Sequence, residues 1–172
     1  MCRPYISPVY IETIYRSASM DFPGSAVKLG LVHSGEPAWA RSAVRGPTLR
    51  GVRRHVDYAL ARRAVLRDLR AGRRDRTDVC DAHPELLRAG RHIGEVEDGD
   101  CPVCGNASLR LVSYVYGNAL RQANGRCIST PQELTKLEAT HEEFSRYIVE
   151  VCLDCRWNHL QRHELHGRRY AG

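Results

Sequence analysis

Two short stretches, CPVCG at residues 101–105 and CLDCRW at residues 152–157, each contain two cysteines separated by two residues. A Cys-x-x-Cys turn brings two thiolates to one cation, and two such turns supply the four ligands of a closed tetrahedral zinc site. The first turn precedes a predicted strand and the second joins two predicted strands, which is the order of a zinc ribbon. We therefore predict one structural zinc ion, bound by Cys101, Cys104, Cys152 and Cys155.

A predicted helix accounts for the long interval between the two cysteine turns. The 47 residues between Cys104 and Cys152 exceed the roughly 15–20 residues of a minimal site with two such pairs. Within this interval, Thr130, Pro131 and Glu133 match the N-cap, N1 and N3 positions of a capping box. The sequence thus predicts a helix at residues 131–140, inserted between the central strands.

Segments rich in β-branched and aromatic residues predict the strands of the ribbon. They are LRLVSYVYG at 109–117, YIVEV at 147–151 and, as a further candidate, WNHLQRHEL at 157–165. In the last of these, His159 and His163 are expected on one face of the strand, where they would pack with Trp157 and Leu165.

Helical patterns dominate the part of the chain before the first cysteine turn. Apolar residues recur at helical spacing in RGVRRHVDYALARRAVLRDLRA at 50–71, and Gly72 is a suitable stop. A second, shorter helix is predicted from Pro84 to about Ala89, ended by Gly90, with Asp81 accepting hydrogen bonds from its first amides.

The predicted fold class is α+β: a helical N-terminal segment followed by a small antiparallel zinc-ribbon sheet with a helical insertion. Residues 1–48 contain five prolines and show no sustained apolar period, so we expect a weakly ordered extension or an over-called start. The predicted boundaries then place an Arg-rich helical segment at 49–98, the ribbon at 99–166 and a tail at 167–172.

Positive charge is concentrated in one block of the sequence. Residues 41–76 contain twelve arginines and three aspartates, a net charge of +9 in a chain whose total is +6. Such a block favours a phosphate-bearing or acidic partner, although a solvated helix face would look the same. The candidate partner-binding residues are Arg53, Arg54, Arg62, Arg63, Arg67 and Arg70. Exposed Tyr114, Tyr116 or Trp157 would add stacking to nucleic-acid bases.

Alternative uses of the cysteines remain open at this point. Iron accepts four thiolates in a similar arrangement, and a redox-active Cys-x-x-Cys pair would make the chain a thiol oxidoreductase. Cys80 and His83 form a Cys-x-x-His pair that would be half of a second metal site, completed by His92 or by the cluster His159, His163 and His166. The alternative is a buried cysteine and a capping or packing histidine.

Catalytic and membrane functions find little support in the sequence. A closed four-thiolate site has no open position for a substrate, and no Ser–His–Asp arrangement, phosphate loop or HExxH motif occurs, so we expect no enzyme and no small-molecule substrate. Neither a membrane span nor a signal peptide is recognisable, which favours the cytoplasm.

The chain resembles an uncharacterised family of actinobacterial proteins, a domain of unknown function with a C-terminal zinc ribbon. The resemblance covers residues 50–166 and is carried by HVDYAL, VCDAHPELLRAG, CPVCG, LRLVSYVYG and VEVCLDCRWNHL. It implies the architecture but no activity. The chain departs from the family pattern at Arg156, where a glycine or another small residue is expected.

These observations predict a non-enzymatic binding module. Its arginines would meet nucleic acid or an acidic face of the transcription or translation machinery. A protein–protein adaptor that does not touch nucleic acid is the alternative, and a thiol-redox protein is a third hypothesis.

Overall fold

The computed structural model describes residues 54–170. The predicted extension at 1–48 lies outside the described residues. Six strands are present in this part of the chain: β1 Arg54–Asp57, β2 Glu95–Val96, β3 Leu109–Tyr116, β4 Arg126–Ile128, β5 Phe144–Cys152 and β6 Asn158–His166. Its α-helices are α1 Ala59–Arg70, α2 Pro84–Ile93 and α3 Pro131–Thr140, and short 3-10 turns lie at Arg76–Asp78, Asn118–Ala123 and Arg168–Tyr170.

The strands form one antiparallel sheet in the order β1-β6-β5-β3-β2, and β4 also pairs with β3. The α+β class and the three-stranded centre β3-β5-β6 are confirmed. Leu109 lies opposite Cys152, so the turn before β3 and the turn after β5 meet at one end of the sheet. The segment assigned to 49–98 also supplies two strands to this sheet, at its two edges.

Side chains alternate between the two faces of each strand, and each face has its own core. One face packs under α2, with a cluster formed by Leu86, Ala89, Val112, Tyr114, Val149, Val151 and Leu160. The other face has two clusters. The first joins α1 to the cysteine end of the sheet through Val65, Leu66, Leu109, Cys152 and Trp157. The second packs Leu134 and Leu137 of α3 against Val115 and Phe144.

Helix α1 is shorter than the helix predicted over residues 50–71. Residues 54–57 form β1 instead, because they pair with the edge of β6. Asp57 then accepts a 2.6 Å hydrogen bond from the amide of Ala59 as the chain turns into the helix. The predicted stop is confirmed, since α1 ends at Arg70 and Gly72 adopts φ +69°.

The prediction that Gly90 ends α2 is wrong, because the helix continues to Ile93. Gly90 lets α2 lie close to the sheet, because a Cβ at this position would be only 3.1 Å from the side chains of Val151 and Leu153. The predicted cap is also wrong. His83 Nδ1 accepts from the amide of Glu85 at 3.2 Å, whereas Asp81 accepts from Asn158 Nδ2 at 2.9 Å.

Helix α3 begins as the sequence predicts, with one difference in its cap. Thr130 Oγ1 accepts from the amide of Glu133 at 3.3 Å. The return hydrogen bond goes to the preceding residue: Glu133 Oε2 accepts from the amide of Ser129 at 3.0 Å. The insertion thus carries its own start signal.

No helix in the described part of the chain is long and apolar enough to cross a membrane.

Candidate metal centre

The two cysteine turns bring four thiols together at one end of the sheet. The sulfur atoms of Cys101, Cys104, Cys152 and Cys155 all lie within 4.8 Å of one another. Sγ of Cys101 is 3.6 Å from Sγ of Cys155, and Sγ of Cys104 is 3.7 Å from Sγ of Cys152. A tetrahedron with metal–sulfur bonds of about 2.3 Å has edges of about 3.8 Å. The four cysteines are free thiols, and this cluster could hold a metal ion.

The backbone of each turn is folded around its sulfurs in the same way. The amide of Gly105 donates to the carbonyl of Cys101 at 2.9 Å, and the amide of Arg156 donates to the carbonyl of Cys152 at 3.2 Å. Gly105 has φ +77° and Arg156 has φ +68°. The residue after each second cysteine is therefore in the left-handed region, which glycine adopts without a steric penalty.

Arg156 occupies this position because its side chain and backbone hold a neighbouring segment. Its guanidinium donates to the carbonyl of Ala82 at 2.9 Å, and its own carbonyl accepts from the amide of Ala82 at 3.0 Å. A left-handed conformation costs a residue with a Cβ about 1–2 kcal/mol. The two hydrogen bonds offset that cost by fixing the start of α2 against the second cysteine turn.

Substitutions at residue 156 are expected to separate these two effects. Arg156→Ala keeps the backbone cost and loses the side-chain hydrogen bond, so it should lower the free energy of unfolding by about 1 kcal/mol. Arg156→Gly loses the same bond but relieves the backbone, so it should be within about 0.5 kcal/mol of wild type. Urea denaturation of metal-saturated protein measures both values. Equal destabilisation by alanine and glycine would contradict this explanation.

A second arginine, which the sequence analysis did not single out, lies beside the cluster. The guanidinium of Arg76 hydrogen-bonds to the sulfurs of Cys80 and Cys155, and these bonds raise its pKa. Positive charge next to a thiolate stabilises the ionised form. Arg76 is separated from Cys155 by most of the described sequence, so no local pattern indicates the contact.

Cys80 and His83, the candidate second metal site, do not lie in a cluster of described ligands like that of the four cysteines. Within residues 54–170, Cys80 and His83 do not belong to any group of three or more ligand atoms that could hold a metal. His83 caps α2, as described above. Cys80 packs at the edge of the cluster around Trp157 and the cysteine turns.

Without a metal, most of the clustered thiols resist ionisation. Burial raises the pKa of Cys101, Cys152 and Cys155. Burial also opposes ionisation of Cys104, but the amide of Asn106 and the three neighbouring thiols outweigh it and lower the pKa. A metal ion must therefore displace protons from the site, and its affinity should fall as the pH is lowered.

Comparison with known proteins places this architecture in a family. Residues 49–171 match a family of unknown function, DUF5318. The chain belongs to this family. An uncharacterised protein of Mycobacterium bovis and two from strains of Mycobacterium tuberculosis are each 42% identical to it over 105 residues, which are 61% of this chain and 76% of each relative. No solved structure matches. The resemblance to an actinobacterial family of unknown function is confirmed.

In this DUF5318 protein, Arg62 forms an ion pair with a buried carboxylate. Its Nε and Nη2 each donate to the carboxylate of Glu150 at 2.8 Å, and Glu150 is fully buried. Trp157 Nε1 and Gln161 Nε2 donate to the same carboxylate at 3.0 and 3.1 Å. Burial alone would raise the pKa of Glu150, but these donors, chiefly Arg62, outweigh it and lower the pKa.

Three of the other candidate arginines are exposed on α1. Arg53 lies outside the described residues, and Arg54 begins β1 opposite Leu165. The side chains of Arg63, Arg67 and Arg70 are exposed on α1, and we call these three residues the arginine stripe. The expectation that Tyr114 and Trp157 are exposed for stacking is wrong, because both are fully buried, while Tyr116 is partly buried.

A β-bulge changes the predicted placement of two histidines. Leu160 pairs with Val149 but Arg162 pairs with Ile148, so Gln161 is an extra residue in β6. The prediction that His159 and His163 share a face is therefore wrong. His159 stacks on Trp157, with centroids 5.9 Å apart, whereas His163 stacks on Tyr147 at 4.5 Å.

Acidification is expected to destabilise the protein through His159, which is 4% exposed. Burial lowers the pKa of His159 to about 4. The unfolded chain takes up this proton near pH 6.5, so stability is complete above that value and should fall by about 2 kcal/mol between pH 7 and about pH 5. His159→Phe should remove this part of the pH dependence, measured by urea denaturation in excess metal. The exposed His92→Gln variant should keep the wild-type dependence, and an unchanged slope in His159→Phe would contradict the assignment.

Proposed function

We propose that this protein is a non-enzymatic module in which a structural zinc ion supports a basic helix that binds the phosphate backbone of nucleic acid. The observation that carries the proposal is the arginine stripe, a set of exposed guanidiniums on a helix that is anchored next to the cysteine cluster. The metal and the helix have separate roles: the metal stabilises the fold, and the helix binds the phosphate backbone.

The donor set supports zinc in a structural role. Four thiolates in a tetrahedral arrangement are typical of structural zinc, and such a site keeps no open position for water or substrate. Two of the four predicted ligands are buried: Cys101 is 3% exposed and Cys152 is fully buried. Iron accepts the same ligands, and metal analysis distinguishes the two ions.

The arginine stripe has the spacing of one helix face. Arg63, Arg67 and Arg70 are at positions i, i+4 and i+7, which lie on the same side of an α-helix. Among the described residues, only Arg67 of the three has an ion pair, a 3.7 Å contact with Asp68 in which the arginine is 72% exposed. Asp68 is held more closely by Arg73. The stripe therefore presents positive charge to solvent with little internal neutralisation.

Contacts of other α1 residues fix the direction of this stripe. Arg62 binds Glu150 of β5, and Val65 and Leu66 pack with Leu109 and Trp157 beside the cysteine turns. A helix anchored in this way presents its outer face at low entropic cost. Backbone phosphate contacts need such positioning but no base-specific side chains.

The test is a salt titration of binding to duplex DNA and to RNA by fluorescence anisotropy. If the stripe makes three phosphate contacts on duplex DNA, the slope of log K against log salt for those contacts is about −2.7. The triple variant Arg63→Ala/Arg67→Ala/Arg70→Ala should lose that part of the slope. The control variant Arg91→Ala/Arg168→Ala/Arg169→Ala removes the same number of positive charges from other surfaces. It should retain the wild-type slope. No binding at low salt, or equal slopes for the two variants, would overturn the proposal.

A protein–protein adaptor is the second candidate, and a specific surface favours it. Val56 is 49% exposed and Leu60 is 76% exposed, at the junction between edge strand β1 and α1. Exposed apolar side chains on a sheet edge are typical of protein-binding surfaces. A partner that is retained after nuclease treatment of a lysate, and lost on Leu60→Ser, would support the adaptor. A thiol-redox function predicts cysteines that react with alkylating agents before a chelator is added.

A further inference from the structure

A groove of about 620 Å³ lies at the end of the sheet away from the cysteine cluster. Phe144 at the start of β5 is among its lining residues, and Cys152 is at the other end of the same strand. Eight residue steps in a strand span about 27 Å. The volume is within the range of small-ligand sites, and the groove shares no lining residue with the metal centre or the arginine stripe.

A small residue between large ones creates the groove. Ser145 pairs with Tyr116 on β3 and with Leu165 on β6, so a short side chain lies between two long ones in the same row. The next row contains Tyr147 and His163, which pair with each other. Ser145 Oγ is 3.0 Å from His163 Nε2, so the floor is polar and fixed.

Two tyrosine rings form a corner in this groove. The centroids of Tyr116 and Tyr147 are 5.6 Å apart and their planes meet at 79°. His163 stacks on Tyr147 at 4.5 Å with an angle of 9°, which holds that ring in place. Tyrosine faces attract cations, and a planar guanidinium stacks on such a ring better than an ammonium does.

Two carboxylates at the rim complement a positive charge. Glu142 and Glu143 line the groove, and their side chains are 73% and 44% exposed. Both already meet guanidiniums of the C-terminal 3-10 turn: Arg168 at 3.7 Å from Glu142, and Arg169 at 3.4 Å from Glu143. Tyr170 also contacts Glu143. These arginines are more than half exposed, and ion pairs of this kind are weak and exchangeable.

We propose that this groove binds an arginine side chain presented by a peptide of a partner protein. The guanidinium lies in the corner between Tyr116 and Tyr147, and Glu142 and Glu143 accept its hydrogen bonds. With two carboxylates and one guanidinium in its lining, the groove disfavours an anionic ligand such as nucleic acid. The inference is independent of the proposed function, because neither the metal nor the arginine stripe takes part.

The experiment titrates the full chain with acetyl-Gly-Arg-Gly-amide and follows amide resonances by NMR. Shifts are expected at Gly117 and Ser145, with a millimolar dissociation constant. The citrulline peptide has the same shape without the charge and should bind about tenfold more weakly. Glu142→Gln/Glu143→Gln should weaken the arginine peptide about tenfold, whereas Arg169→Gln should tighten its binding because a carboxylate is released from its internal partner.

Asp98→Asn/Asp100→Asn is the matched control, since it removes two exposed carboxylates that do not line this groove. Its affinity for the arginine peptide should equal that of wild type. Equal binding of the arginine and citrulline peptides would overturn the proposal. So would an unchanged affinity in the double glutamine variant, shifts confined to other surfaces, or no binding at about 20 mM peptide.

Discussion

Removal of the proposed zinc ion is expected to unfold the sheet rather than loosen one end of it. Cys101 and Cys152 belong to the same buried cluster as Leu109 and Trp157, so the ion would join the first cysteine turn to the end of β5 inside this cluster. Structural zinc contributes about 10–16 kcal/mol of binding free energy, which matches or exceeds the total stability of an ordinary domain. Excess chelator should therefore abolish the cooperative thermal transition seen by circular dichroism. Trp157, which is fully buried, should shift its emission to the red in a Trp39→Phe background.

Single substitutions provide the control for this result. Cys152→Ser should behave like the chelated protein at any metal concentration, because one ligand is lost from a closed site. Cys127→Ala removes a cysteine that is 6% exposed and outside the cluster, so it should keep the metal and a cooperative transition. If Cys152→Ser melts within a few degrees of wild type, the ribbon does not depend on the metal.

Loss of Arg62 is expected to have the second-largest effect. Arg62→Ala leaves the carboxylate of Glu150 fully buried without its main counter-charge, and breaking a buried pair in this way costs about 3–5 kcal/mol. Without Arg62, the pKa of Glu150 rises, because burial still raises it while only Gln161 and Trp157 still lower it. The lowered pKa of Glu150 in the wild type contributes stability that is present above the unfolded pKa and is lost as the pH falls. The variant loses this contribution, so its deficit should be largest at neutral pH and smaller near pH 4.

Urea denaturation across this pH range, with the metal kept in excess throughout, measures the deficit. Arg63→Ala is the matched control, because it removes an exposed arginine from the adjacent position of α1 and should change the stability by at most about 0.5 kcal/mol. A deficit in Arg62→Ala that does not depend on pH would show that Glu150 is not the group left unpaired.

Features set by neighbouring residues could be predicted from the sequence. The cysteine turns, the start of α3 at Thr130 and the strand at 109–116 depend on local spacing, capping and β-branched composition. The structure brings the four predicted ligands together for the same reason: each pair is fixed by its own turn, and antiparallel pairing of β3 with β5 then sets one turn beside the other.

Features set by distant residues could not be predicted. The Arg62–Glu150 pair joins positions 88 residues apart, and a helix pattern alone makes Arg62 look like another solvated arginine. The extra residue in β6, Gln161, depends on the register with β5. It places His163 on the face of the sheet opposite to the one expected. Gly90 looks like a stop until the side chains of Val151 and Leu153 are placed against it. In each case, tertiary contacts overrule a correct local pattern.

The proposed function depends most on the identity and geometry of the ion at the four thiols. Metal analysis of the purified chain, combined with X-ray absorption at the zinc edge, tests this directly. We expect one zinc per chain, with four sulfur neighbours at about 2.3 Å and no nitrogen or oxygen ligand. Absence of a bound metal from freshly purified protein, or a shell containing a light-atom ligand, would contradict the closed structural site on which the proposed function is built.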